Sequence, residues 1–217
     1  MFQAILFDVD GTLVDTEDVV IRSMQQMLHD ELGQDVPADQ LTYVLGIPGT
    51  AAIKPFASDP DEAERLLAVW ADNDARLTHE SQLFAGIRPM LQQLQAQPIP
   101  LGIITSKTDA EWQTQMPRFQ LEPFFNLIVT ASDTTEHKPT PVPLQYACRN
   151  MQLTPEKTLY IGDSIYDMQS AHAAGAQFAL AGWGAHPNPE FAKAEYRLEQ
   201  PDDLLKLVSH ETSGRTF

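Results

Sequence analysis

The sequence predicts an α/β protein: a doubly wound parallel sheet, interrupted after its first strand by an all-helical insertion. Three observations carry this expectation. Short, wholly apolar runs recur along the chain, as strands buried on both faces require. Stretches with apolar residues at three- and four-residue spacing separate those runs, which is the alternation of βαβ units. Residues 16–84 alone depart from it, with helical periodicity and no comparable apolar run.

The first strand is expected over Ala4 to Phe7, where AILF is closed at once by acidic and glycine residues. Later runs are Leu101 to Thr105 (LGIIT), Leu127 to Thr130 (LIVT), Thr158 to Ile161 (TLYI) and Phe178 to Ala181 (FALA). Helical spacing fills Pro89 to Gln97, Asp109 to Phe119, Pro143 to Met151 and Ile165 to Ala174. Within the insertion one helix gathers Val20, Met24, Met27, Leu28 and Leu32 on a face, and another gathers Ala63, Leu66, Leu67, Trp70 and Leu77. The expected domains are therefore an α/β core of residues 1–15 and 85–217, and a helical cap of residues 16–84. A last helical pattern covers Pro201 to Val208, and the polar SHETSGRTF tail after it lacks an apolar face and is expected to be peripheral.

With 217 residues, 43% of them hydrophobic, the chain can bury a substantial core. Thirty acidic residues against 14 basic give a formal charge of -16, which excludes nucleic acid and anionic membranes as expected partners, since both require a basic footprint. A small anionic ligand remains compatible, because distant exposed charges are screened and local cations decide its binding. The N-terminal apolar run is short, lacks a basic flank and meets two aspartates, so neither a signal peptide nor a membrane span is expected there. The one cysteine, Cys148, rules out an intramolecular disulfide, fits a reducing, cytoplasmic compartment, and reads as a packed helix residue. Oligomeric state has no signal in the sequence.

In open α/β sheets, ligands bind at the carboxyl ends of the strands. The first strand ends in Asp8-Val9-Asp10-Gly11-Thr12. A calcium loop of the EF-hand type would need glycine at Leu13 and glutamate at Val19, and has neither. A plain Asp-Gly turn is the other reading of this segment taken alone. The later strand ends weigh against it: Thr105-Ser106 closes one, Gly162-Asp163-Ser164 closes another, Lys138 precedes a helix, and Asp167 follows Asp163. Carboxylates, hydroxyls and a lysine gathered in this way are the groups needed to bind Mg²⁺ and a phosphoryl group side by side.

In order and spacing these segments resemble the four motifs of the haloacid dehalogenase superfamily, here DVDGTLVDT, TS after an apolar strand, KP, and GDSIYD. The resemblance spans essentially the whole chain. It implies that Asp8 is the nucleophile and Asp10 the general acid and base. Mg²⁺ would be held by the carboxylates of Asp8 and Asp163 and the backbone carbonyl of Asp10. Thr105, Ser106, Gly11 and Lys138 would cradle the phosphoryl group, with Asp167 supporting the metal or the lysine.

The helical insertion directly after the first motif resembles the cap group that contains phosphoglycolate phosphatases, a pyrophosphatase and phosphomutases. Leu45-Gly46-Ile47-Pro48-Gly49-Thr50, Lys138-Pro139 followed by Pro141 and Pro143, and Ala181-Gly182-Trp183-Gly184 resemble the phosphoglycolate phosphatase subgroup. The implied activity is Mg²⁺-dependent hydrolysis of a small phosphate ester through an aspartyl phosphate. Pyrophosphate or a sugar phosphate is the alternative substrate. Mutase activity is disfavoured because GIPGTAAI carries no arginine and Lys54 is the nearest cation. A non-catalytic phosphate sensor on the same scaffold would have no need of Asp10.

Overall fold

The computed structural model describes residues 2–45, 47 and 49–213, with side chains through residue 209. Gly46 and Pro48 of the cap segment named above, and residues 214–217 of the polar tail, lie outside the described residues. In chain order the elements are β1 (Ala4–Phe7), β2 (Val14–Asp15), α1 (Glu17–Leu32), α2 (Ala38–Leu41), α3 (Gly49–Ile53), α4 (Pro60–Leu77), β3 (Gln82–Leu83), α5 (Ile87–Gln95), β4 (Leu101–Ile104), α6 (Asp109–Gln115), β5 (Leu127–Val129), α7 (Val142–Met151), β6 (Thr158–Gly162), α8 (Ile165–Ala174), β7 (Gln177–Ala181), β8 (Tyr196–Leu198) and α9 (Asp202–Ser213). Two compact units result, Met1–Val14 with Leu83–Phe217 and, separately, Asp15–Gln82. The expected limits were 15/16 and 84/85; the chain divides one and two residues earlier. No described helix is long and apolar enough to cross a membrane.

The larger unit is built on a six-stranded sheet in the order β5-β4-β1-β6-β7-β8, with every neighbouring pair parallel. Successive residues of each strand serve opposite faces. Ile5, Phe7, Ile103, Leu159 and Ile161 pack with Ile87, Met90, Leu91 and Leu94 of α5 and Leu204 and Val208 of α9. Leu6, Ile104, Val129, Tyr160 and Phe178 pack on the other face with Leu144 and Ala147 of α7 and Met168 and Ala171 of α8. Burial of both faces explains why the strands read as unbroken apolar runs.

Three of the described strands were not expected: β2 and β3, which have two residues each and pair with one another in a two-stranded sheet, and the edge strand β8. Strand β8 has three residues at the sheet edge, and of these only Leu198 is buried, so the two-residue period has too few repeats to stand out. Helix α6 stops at Gln115, before Met116-Pro117, because Pro117 cannot donate a helical hydrogen bond; a 3₁₀ turn over Pro117–Phe119 completes the apolar face. Cys148 is buried on α7, as expected, and burial raises its thiol pKa.

The smaller unit has its own core: Ile21, Met24, Met27 and Leu28 of α1 meet Leu41, Val44, Ala52, Ile53, and Leu66 and Trp70 of α4. Its polar interior is paired. The Trp70 indole N–H donates to Ser23 Oγ (2.9 Å), which donates to the Val20 carbonyl (2.9 Å). Asp59 starts α4 as its N-cap, accepting from the Glu62 N–H (2.9 Å) ahead of Pro60 at the first helical position.

Candidate active site

Three adjacent strands deliver their C-terminal residues to one place. The register sets Phe7 of β1 beside Ile103 of β4 and Ile161 of β6. Asp8 follows, its N–H tied to the Ile161 carbonyl (2.9 Å), while the Thr105 N–H is tied to the Val129 carbonyl of β5 (2.9 Å). Parallel pairing thus brings together residues separated by more than 150 positions in the chain.

Lys138 is the hub of the cluster. Its ammonium lies 2.9 Å from Asp8 Oδ1, 2.7 Å from Asp167 Oδ1 and 3.3 Å from the Tyr160 hydroxyl, and the residue is only 7% exposed. The Tyr160 hydroxyl is within reach of the Ile104 carbonyl (3.0 Å) and Asp167 Oδ1 (3.1 Å). Asp167 has no solvent exposure, and its other oxygen accepts from the Ser164 N–H (3.1 Å) and Ser164 Oγ (2.6 Å) in a capping box that opens α8. Both of its oxygens are therefore engaged.

Asp163 is oriented from below. Thr12 Oγ donates to Asp163 Oδ1 (2.9 Å), and Gly11 lies against the same carboxylate. Gly11 has φ +73°, and a Cβ there would stand 2.2 Å from Asp163 Oδ2. Gly11→Ala therefore carries a left-handed strain of about 1–3 kcal/mol and pushes the carboxylate aside. Lowered stability together with weakened divalent-cation affinity is the expected result, read by thermal melts with and without Mg²⁺; a protein unchanged in both would contradict this account of the turn.

Among the described residues, carboxylate oxygens of Asp8, Asp163 and Asp167 lie within 4.8 Å of one another. Desolvation, then the Asp167 charge, push the Asp8 carboxyl up to about 7, against the opposing pull of Lys138. Asp163 is raised well above the carboxylate range by burial and by the charges of Asp167 and Asp8. Burial works against the Lys138 charge, yet Asp167 and Asp8 together hold its ammonium above the ordinary lysine value. The cluster has more buried negative charge than one lysine neutralises.

Asp10 stands apart from this group. Its side chain faces Lys107, whose ammonium is 3.0 Å from Asp10 Oδ1 as an ion pair without hydrogen-bond alignment. The Lys107 N–H in turn donates to Thr105 Oγ (3.2 Å), so Asp10, Lys107 and Thr105 form a second polar group. Thr105 is buried, and Ser106 is exposed.

A family model described as haloacid dehalogenase-like hydrolase matches residues 5–181. The chain belongs to that family. Pyrophosphatase PpaX of Bacillus pumilus is 30% identical over 213 residues, covering 94% of this chain and 95% of the relative. Pyrophosphatase PpaX of Anoxybacillus flavithermus is 28% identical over 207 residues, with 94% and 95% covered. Among solved structures, a candidate phosphoglycolate phosphatase from Lactobacillus plantarum superposes with a TM-score of 0.88 at 30% identity, covering 95% of this chain and 99% of that one.

In this haloacid dehalogenase-like hydrolase, four polar residues at the site were not singled out from the sequence: Thr12, Lys107, Tyr160 and Ser164. Thr12 and Ser164 lie inside quoted motifs and Lys107 directly follows one, so a count of side-chain donors in and next to each motif would have found them. Tyr160 had no such signal, because in TLYI it reads as an apolar strand residue.

Proposed function

We propose that this chain is a Mg²⁺-dependent phosphatase that hydrolyses a small phosphorylated metabolite of the phosphoglycolate type, with the phosphoryl group carried transiently on Asp8. The observation that carries the reading is the convergence of Asp8, Asp163 and Asp167 around the Lys138 ammonium at the strand ends. Hard carboxylate oxygens with a surplus of buried negative charge suit Mg²⁺. Since both Asp167 oxygens are engaged, Asp8, Asp163 and the Asp10 backbone carbonyl would hold the ion, and Asp167 serves to orient Lys138. Bound there, Mg²⁺ supplies positive charge to the phosphoryl oxygens and favours the ionised form of Asp8.

An Asp8 oxygen forms a bond to phosphorus while the bond from phosphorus to the leaving oxygen breaks, and Asp10 gives that oxygen a proton. Asp10 then takes a proton from water as the water attacks the aspartyl phosphate, releasing inorganic phosphate and restoring Asp8. Lys138, the Thr105 hydroxyl and the Ser106 backbone N–H counter the charge on the equatorial oxygens, whereas the Gly11 N–H is taken by the Val14 carbonyl (2.9 Å). A beryllofluoride complex tests the assignment: the beryllium is expected to bond to an Asp8 oxygen, and bonding to another residue would sink it.

Pyrophosphate is the second substrate reading, favoured by the names of relatives that match along nearly the whole chain. Selection of the leaving group is assigned to the helical unit of residues 15–82, acting as a cap. The deciding measurement is kcat/KM for phosphoglycolate, pyrophosphate, hexose phosphates and nucleoside monophosphates at one Mg²⁺ concentration, where a flat profile would contradict a dedicated substrate. A cytoplasmic location accompanies this reading, supported by the single, reduced and buried Cys148.

The electrostatics give a pH prediction. With its carboxyl at about 7 when folded and near 3.8 when unfolded, Asp8 binds its proton more tightly in the folded protein between those values. Metal-free stability therefore falls as pH rises through that window. The raised Lys138 value acts only above the ordinary lysine range. Mg²⁺ takes the place of the proton, so the rise in Tm on adding Mg²⁺ should grow from pH 5 to pH 7.5. An equal rise at both pH values by scanning calorimetry would refute it.

A further inference from the structure

The Gly182-Trp183-Gly184 run after β7 takes no part in the chemistry above, yet Trp183 and Gly184 are fitted to the Gly11–Thr12 turn and Gly182 to the end of β8. The Gly182 N–H donates to the Leu198 carbonyl at the end of β8 (2.8 Å), and a Cβ on Gly182 would stand 2.8 Å from that oxygen. Gly184 lies so close to Gly11 that a Cβ would fall 1.9 Å from the Gly11 carbonyl oxygen. Between them, the Trp183 indole N–H donates to the Thr12 carbonyl (2.9 Å). Thr12 has no solvent exposure, and its hydroxyl is the donor that meets Asp163 Oδ1.

We propose that Trp183 is a positioning residue for the divalent cation, acting through the Thr12 peptide on the Asp163 carboxylate. The inference rests on the metal reading of the previous section. Thr12, Leu13 and Val14 all direct their N–H groups at the Val9 carbonyl, which secures one side of the turn. The Thr12 carbonyl points the other way, and the indole holds it. A held peptide fixes the Thr12 hydroxyl, and that hydroxyl fixes Asp163 against the repulsion of Asp8 and Asp167. The two glycines let the loop approach closely enough for the indole to reach. Partners of ligating side chains commonly set affinity in this way, with effects of about 10–100-fold when removed.

Trp183→Phe keeps most of the ring and deletes the donor. On metal-stripped protein, calorimetric titration with Mg²⁺ should show Kd about 10-fold weaker, while the metal-free Tm falls by no more than about 2–4 °C, the share of one hydrogen bond. Thr12→Val should weaken Mg²⁺ binding as much, Thr12→Ser should restore it, and adding Trp183→Phe to Thr12→Val should cost nothing further. Wild-type Mg²⁺ affinity in Trp183→Phe, or a full additional loss in the double variant, overturns the proposal while leaving the metal site intact. A wild-type protein that takes up no Mg²⁺ overturns the metal reading, and this inference falls with it.

Discussion

Asp8→Asn is expected to abolish Mg²⁺-dependent hydrolysis, with kcat reduced on the order of 10⁴-fold or more, because a neutral amide cannot form the bond to phosphorus. The fold should survive. Asp8 is only 7% exposed and belongs to a cluster with excess negative charge, so removing one charge relieves repulsion from Asp167 and Asp163 even as it weakens the pairing with Lys138. An unchanged or higher metal-free Tm beside lost turnover is the expected pair of results. Turnover within tenfold of wild type in an aryl phosphate assay would remove Asp8 from the mechanism.

The largest effect on stability is expected at Lys138. Its ammonium serves Asp8, Asp167 and Tyr160 at once, with 7% of the residue exposed. Lys138→Met preserves the length of the stem and leaves two buried carboxylates facing each other without a cation, a change of the kind that costs about 3–5 kcal/mol. The carboxyl groups can respond by keeping a proton that they would otherwise release. Their folded values then rise further above the unfolded ones, and the destabilisation deepens as pH rises. Urea unfolding at pH 5 and pH 8 measures it. A loss below about 1 kcal/mol that is equal at both pH values would show that Lys138 is not the neutralising group. Activity should fall by about 10²–10³-fold where the variant remains folded, since one donor to the developing charge is missing.

The parts legible in the sequence share a physical cause. The strands β1, β4, β6 and β7 are buried on both faces, so their residues had to be apolar in sequence, and the abrupt change to Asp8, Thr105 and Asp163 marks where each strand meets the ligand end. What was hidden depends on the third dimension. Tyr160 has an apolar ring in the core and a hydroxyl that matters only because the loop before α7 and helix α8 bring Lys138 and Asp167 to its tip. Lys107 meets Asp10 across strands β4 and β1, a pairing that no spacing within either segment contains. The short edge strand β8 was lost for want of repeats, although its last carbonyl anchors Gly182.

The parallel register has a kinetic consequence. Asp8 joins Asp163, Asp167 and Lys138 only when β1 has paired with β6, and so distant a pairing carries a loop entropy that must be met first. A chain still short of that step has no carboxylate cluster for a cation to join. Mg²⁺ would then act on the rate of unfolding and scarcely on the rate of folding, giving the protein a longer-lived native state rather than a faster route to it.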